Sequence, residues 1–436
     1  MGTTMQAAPQ RNRWWQLFFG VVAMMAISSP QYVWALFTTE LEHTLGATLA
    51  EIQVTFAILI VAQTFLSPAQ GFLIDKFGPR VLLSVGAILT SLSWVLASFA
   101  TNVWALYLTY GLLGGFGTGI IYVGVVGLMV QWFPDLRGFA VGMVAAGYGF
   151  GAILTTFAIS SGIATSGVAH TLLVFGIGIG VVGFLAAQGM RRPRPEEAAQ
   201  LAQATKARDT SRESAHGYKP AEMLKTPVFW VMYLMMTMMA TSGLMVISQM
   251  GAFAEDFGIH DATIFGMAAL PLALTIDRFA NGLTRPFFGW VSDKIGRENT
   301  MFIAFGLEGV AMTLWLLTMS NPVLFILLSG LVFFGWGEIF SLFPSVLTDT
   351  FGTKHATTNY GFLYTSQGVG SVLGGPLAAY MHQATGSWMP VFIVVIAMNF
   401  ATAILAQWCL KPMRNKFLAK TREDMRVAVN AAHVQG

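Results

Sequence analysis

This chain has one cysteine in 436 residues, Cys409. An intramolecular disulfide and a cysteine-built metal cluster are excluded. Charge is equally scarce. Only 10% of the residues are Asp, Glu, Lys or Arg, against roughly 25% in soluble domains. No histidine falls in the core of an apolar run, and no nucleophile is placed with a base. An enzyme is the poorest reading, and no cofactor or metal is expected. What is present is apolar, at 55% of the chain. Runs of ~20 apolar residues recur along the whole length, which is the pattern of a polytopic membrane protein. The formal charge of +3 is no nucleic-acid signal, because the basic residues sit in short loops and in the tails.

Twelve spans can be counted, at 14–38, 52–73, 80–100, 103–130, 139–162, 168–188, 227–254, 262–291, 299–319, 322–348, 358–382 and 387–410. The first lacks a small-residue cleavage site and reads as a retained helix. A polar stretch, Arg191 to Lys225, separates the sixth span from the seventh and is expected to be flexible in its middle. The expected organisation is a six-helix half at 1–190, a linker at 191–225, a second half at 226–410 and a tail at 411–436.

The cations orient the spans. With the N-terminus in the cytoplasm, 22 of the 24 Lys and Arg residues fall on the inner side. The external loops keep only acidic charges: Glu40, Glu42, Glu51, Glu255, Asp256 and Asp261. This is the positive-inside pattern, and one missed span would scramble it. The expected location is the inner (plasma) membrane, with both termini cytoplasmic and the chain monomeric.

The two remaining cations, Arg278 and Arg285, lie in the eighth span, seven residues apart. At 100° per residue they point within about 20° of each other. A charge in hydrocarbon costs a few kcal/mol or more and faces a water-filled cavity or a partner. Two on one face suggest a site for an anion. Arg285 is ~10 Å from the cytoplasmic end of its helix, so snorkelling to the surface competes with binding. Its planar fork suits bidentate carboxylate binding, which a lysine would not reproduce.

An internal repeat is also present. GFLIDKFGPR (Gly71 to Arg80) after the second span returns as GWVSDKIGR (Gly289 to Arg297) after the eighth. Arg137 and Lys354 form a second matched pair. Repeated six-helix halves are the build of many secondary transporters, with substrate near the midplane between them. The glycine strings 114–119, 147–151 and 176–180 lie inside apolar helices and read as close helix packing.

The repeated loop resembles the major facilitator superfamily. SPQYVWALF (29–37), QWFPDLRGFAVGMVAAGYGFG (131–151), RPFFGWVSDKIGR (285–297) and NYGFLYTSQ (359–367) are similar to the oxalate:formate antiporter family, related to monocarboxylate transporters. The similarity runs in order over nearly the whole chain. It implies an all-α, twelve-helix carrier of small carboxylates working by alternating access. In the family, an arginine opening an R-P-F-x-G segment of the eighth helix holds the substrate carboxylate, and Arg285 matches it. Aromatic residues enclose the substrate. Their counterparts are Tyr32 after Gln31, Tyr122, Trp336, Phe340 and Tyr364. The oxalate carrier of this family has a lysine on helix 11, where this chain has Gln367, and that departure puts oxalate itself in doubt.

Several roles stay open at this point. Arg278 either supplies the second cation that Gln367 does not, or is neutralised by Glu338 or Glu308. Asp277 and Glu338 are either proton carriers or members of static pairs. Tyr and Trp can offer O–H or N–H to a carboxylate while their rings flank it. Pro30 is expected to kink the first helix. Asp75 with Arg80, and Asp293 with Arg297, are expected to latch helix ends in one conformer. Antiport and proton symport remain alternatives, and a non-transporting sensor or a channel are weaker ones.

Overall fold

The computed structural model describes residues 4–47, 49–206, 217–259, 262–264 and 266–434. Residues 207–216, in the middle of the linker, and Asp261 lie outside them.

Nearly everything described is helix, as hydrocarbon requires of a chain that must satisfy its own backbone groups. Eight helices among the described residues are long and apolar enough to cross a membrane. A ninth is counted if Val54–Phe65 and Ser67–Phe77, bent by 47°, form one broken span. The three remaining spans of the twelve are those with polar or broken courses. The first is Thr4–Ala26, followed by the short turns Ser29–Tyr32 and Trp34–Leu36. The eighth is Ala269–Ile295, which carries Asp277, Arg278, Arg285, Asp293 and Lys294. The eleventh is Ala356–Val372, continued through Leu373–Leu377 to Ala378–Thr385.

Local chemistry sets the helix ends. Proline occupies the first turn of Pro79–Ala97 and of Pro322–Trp336, where its missing N–H removes nothing. The Asn321 side chain accepts from the N–H groups of Val323 and Leu324, and Asn102 accepts from Ala105. The first helix stops at Ala26, just before Pro30, so the break comes one turn earlier than a kink at the proline itself would give.

The repeat is visible in the backbone. Gly78 and Gly296, the matched glycines of the two loops, take φ/ψ of 91°/156° and 96°/155°. A side chain rarely adopts that conformation, which is why both positions hold glycine. Each begins the next helix, Pro79–Ala97 or Arg297–Thr318.

The chain forms two compact units. The first comprises 1–133, 143–201 and 360–368; the second comprises 134–142, 202–359 and 369–436. The short segments 134–142 and 360–368 therefore cluster differently from the simple division by linker. Missing side chains explain both. A Cβ on Gly138 would collide with the Gly289 carbonyl inside the second unit, and one on Gly361 with the Ser67 carbonyl inside the first. The glycine strings behave as expected. A Cβ on Gly119 would lie 2.8 Å from the Gln63 carbonyl oxygen, and one on Gly115 2.8 Å from Ala62 Cβ.

Candidate functional site

In the second unit the central group is Arg285. It is 1% exposed, so it does not snorkel. Its Nε–H donates to Asn281 Oδ1, one turn earlier on the same helix, at 2.9 Å. Its guanidinium carbon stands 4.6 Å from the centroid of the Phe340 ring. An aromatic face attracts a desolvated cation, and the amide fixes the fork's rotation. Phe340 in turn meets Trp336 edge to face, with centroids 5.4 Å apart. The Trp336 N–H donates to the Met239 carbonyl at 2.8 Å. The expectation that this indole offers its N–H to a carboxylate is thereby corrected: the only donor is committed to backbone, and Trp336 contributes ring surface.

Arg278 is half-buried and interacts electrostatically with Asp277 beside it. No ion pair of Arg278 with Glu308 or Glu338 is seen among the described residues. Glu308 is held elsewhere. Its Oε1 accepts from Ser242 Oγ at 2.7 Å and from Asn399 Nδ2 at 3.2 Å. Glu338 is fully buried at the break between Pro322–Trp336 and Ile339–Phe351. Both its carboxyl oxygens lack a hydrogen-bond partner among the described residues. It lies within electrostatic reach of Glu308 and of Arg285. Glycine brings these groups together, since a Cβ on Gly335 would sit 2.7 Å from Glu308 Cβ. Asp277 is 3% exposed and accepts from Ser329 Oγ at 2.9 Å.

At the loop end of the same unit, Asp293 and Arg297 join a buried network. Asp293 accepts from the N–H groups of Gly138 and Phe139 at 3.1 and 3.0 Å. These belong to the first turn of the helix Arg137–Thr156, so the carboxylate caps that helix and meets the positive end of its dipole. Arg297 bridges Asp293 and Asp349, and Arg137 holds the other oxygen of Asp349. The matched loop in the first unit is built differently. Asp75 pairs with Arg192 at 3.5 Å, and Arg192 also donates to the Ile74 carbonyl at 2.8 Å. Arg80 is exposed and makes no ion pair among the described residues.

In the first unit the expected aromatics gather with polar partners. Tyr122 and Tyr364 stack at 4.9 Å with 10° between their planes. Tyr148 meets Tyr122 at 5.3 Å and Tyr32 at 5.4 Å. The Tyr148 hydroxyl donates to Gln31 Oε1 at 2.6 Å. Gln63 Nε2 reaches the hydroxyls of Tyr148 and Tyr364, each at 3.4 Å. Gln367 is 4% exposed, and its Oε1 has no hydrogen-bond partner among the described residues.

Gln63, Tyr148, Asn281, Asp349 and Arg192 were not read from the sequence as site residues. Asn281 had a signal, as the lone amide of its membrane-spanning stretch, and Gln63 as one of three amides in the second span. Tyr148 was hidden in a glycine string whose packing role is real: Gly147 and Gly151 press on the backbone at Val21 and Met25.

Three comparisons bear on this arrangement. The Major Facilitator Superfamily model matches residues 17–276 and 235–428. The chain is 33% identical to the oxalate:formate antiporter of Oxalobacter formigenes over 403 residues, 92% of each chain. It is 26% identical to monocarboxylate transporter 13 of Bos taurus over 356 residues, 79% of this chain and 77% of that one. Among solved structures, a proton:xylose symporter bound to 6-bromo-6-deoxy-D-glucose superposes with a TM-score of 0.74 at 14% identity, covering 92% of this chain and 96% of the other. That likeness carries the twelve-helix fold. The chain is a member of the major facilitator superfamily and, within it, of the oxalate:formate antiporter family.

Proposed function

We propose that this protein is a secondary transporter of small carboxylates. It works by alternating access of two six-helix halves, 1–190 and 226–410, joined by the linker 191–225. It acts as a monomer in the plasma membrane with both termini cytoplasmic. The observation that carries the reading is Arg285, a cation 1% exposed in the middle of a membrane helix, oriented by Asn281 and backed by Phe340. A buried guanidinium with its fork fixed in advance binds a planar carboxylate by two parallel charge-assisted bonds. The name of the Oxalobacter relative supports the substrate class. Arg278 tunes the charge on the same helix. Gln31, Tyr32, Tyr122, Tyr364 and Gln367 are candidate polar and aromatic substrate contacts of the first unit, and Trp336 and Phe340 those of the second. Asp293 and Arg297 act as a conformational latch on the helix Arg137–Thr156.

Exchange of one anion for another is the primary reading. A proton-coupled symport is the alternative, favoured by Glu338, a buried carboxyl without a hydrogen-bond partner among the described residues. Uptake of radiolabelled formate, oxalate, lactate and pyruvate into proteoliposomes tests both. Exchange requires internal anion and ignores a pH gradient; symport follows the gradient and needs no internal anion. Failure of all four anions to enter under either condition removes the carboxylate reading.

A further inference from the structure

We infer that the cavity where the linker meets the start of the third span binds the headgroup of an anionic phospholipid. The cavity is open, has a volume of about 500 Å³, and is lined by Phe77, Arg80, Val81, Arg191, Arg192 and Arg194. Four arginines therefore line one space. Two of them are fixed in place. Arg191 makes a bidentate pair with Glu197 at 2.6 and 2.7 Å and lies over the Trp132 ring at 5.0 Å. Arg192 is held by Asp75 and the Ile74 carbonyl. The other two, Arg80 and Arg194, are exposed and make no side-chain hydrogen bond or ion pair among the described residues.

Counting Asp75 and Glu197 against the four arginines leaves two positive charges unmatched at the cavity. Two arginine forks without carboxylate partners suit the oxygens of a phosphate. The neighbouring surface decides the source of that phosphate. Phe77 and Val81, which line the same cavity, are 56% and 58% exposed, and Phe72 one turn before is 55% exposed. A soluble phosphate has no use for that apolar flank, whereas a lipid lays its acyl chains along it while the headgroup enters among the arginines. Basic pockets at the cytoplasmic ends of membrane helices bind anionic headgroups for this reason. The assignment of this end to the cytoplasmic face rests on the topology proposed above; the site itself is independent of which solute the protein carries.

The test uses purified full-length protein and its Arg80→Gln/Arg194→Gln double variant. Retention of phosphatidylglycerol and of phosphatidylcholine is measured by native mass spectrometry, and thermal stability by lipid titration in detergent. Each membrane-surface cation contributes roughly fivefold, so the double variant should lose about 25-fold in phosphatidylglycerol affinity. Phosphatidylcholine binding should not change, and added salt should weaken only the wild type. Unchanged phosphatidylglycerol retention in the double variant overturns the inference. Stabilisation of the wild type by inorganic phosphate alone, equal to that by phosphatidylglycerol, overturns it as well. Because both readouts are of binding, they stand apart from any failure of carboxylate transport.

Discussion

Replacing Arg285 with lysine keeps the charge and removes the geometry. In the wild type the fork is pinned at one end by Asn281 at 2.9 Å and at its face by Phe340 at 4.6 Å. A carboxylate bound in bidentate fashion would meet the two terminal nitrogens edge-on. A lysine offers a point charge at the end of a flexible stem and makes one such bond where arginine makes two. A hydrogen bond to a charged group contributes about 1.5–3 kcal/mol. Losing one should raise the substrate dissociation constant about 10- to 150-fold. The Coulomb attraction is retained, so transport should persist at high substrate. Counterflow of labelled formate and oxalate in proteoliposomes, read across substrate concentration, measures this directly. Asn281→Ala provides a second measure, because it keeps the arginine and frees its rotation; a loss of about tenfold is expected from the one bond removed. If Arg285→Lys stays within threefold of wild-type affinity for every anion tested, the bidentate role is refuted.

Other expectations follow from single contacts. Asp293→Asn removes the anionic cap from Gly138 and Phe139, and should speed hydrogen exchange at those two amides while costing about 1 kcal/mol of stability; unchanged exchange would deny the cap. Gly142→Ala places a Cβ against the Arg285 carbonyl, and should lower the melting temperature and impair transport through a shifted Arg285 backbone. A normal melting temperature and unimpaired counterflow would show that the contact is soft. Glu338→Gln should leave anion counterflow intact and abolish any uptake driven by a pH gradient; gradient-driven uptake that survives would exclude Glu338 as the proton carrier. Arg191, with the Arg194 N–H and the Asn12 amide, holds the Glu197 carboxyl down at about 2 against the effect of burial. A depressed carboxyl stabilises the fold above its ordinary value of 4.5 and loses that contribution as pH falls through about 2. Exchange at the Arg194 amide, corrected for its intrinsic pH dependence, should therefore be slow above about pH 4.5, rise progressively below it and level off near pH 2. Exchange that does not change between about pH 5 and about pH 2 would mean the clamp does not form.

The spans, the repeat and the isolation of Arg278 and Arg285 are legible in the sequence, because each depends on composition over one or two turns. The hydrocarbon requirement acts on every ~20-residue window separately, so apolar runs declare themselves. Gly78 and Gly296 announce the repeat for an equally local reason: both must take a positive φ. Partner choice is not local. Glu308 was a candidate counter-ion for Arg278, yet it faces Ser242 and Asn399 from two other spans. Asp75 stands five residues before Arg80 and pairs instead with Arg192, far along the chain. Asp293 caps a helix whose first turn lies 155 residues before it. Those outcomes depend on how each helix is rotated and how closely it approaches its neighbour, which glycines such as Gly138 and Gly335 allow. The sequence by itself determined that two arginines lie within one membrane helix. The tertiary structure decided that one of them is oriented by Asn281 and Phe340, and that Glu308 is held by Ser242 and Asn399. The physical reason is that burial cost follows from a residue's own chemistry, whereas pairing follows from the positions of atoms on separate helices.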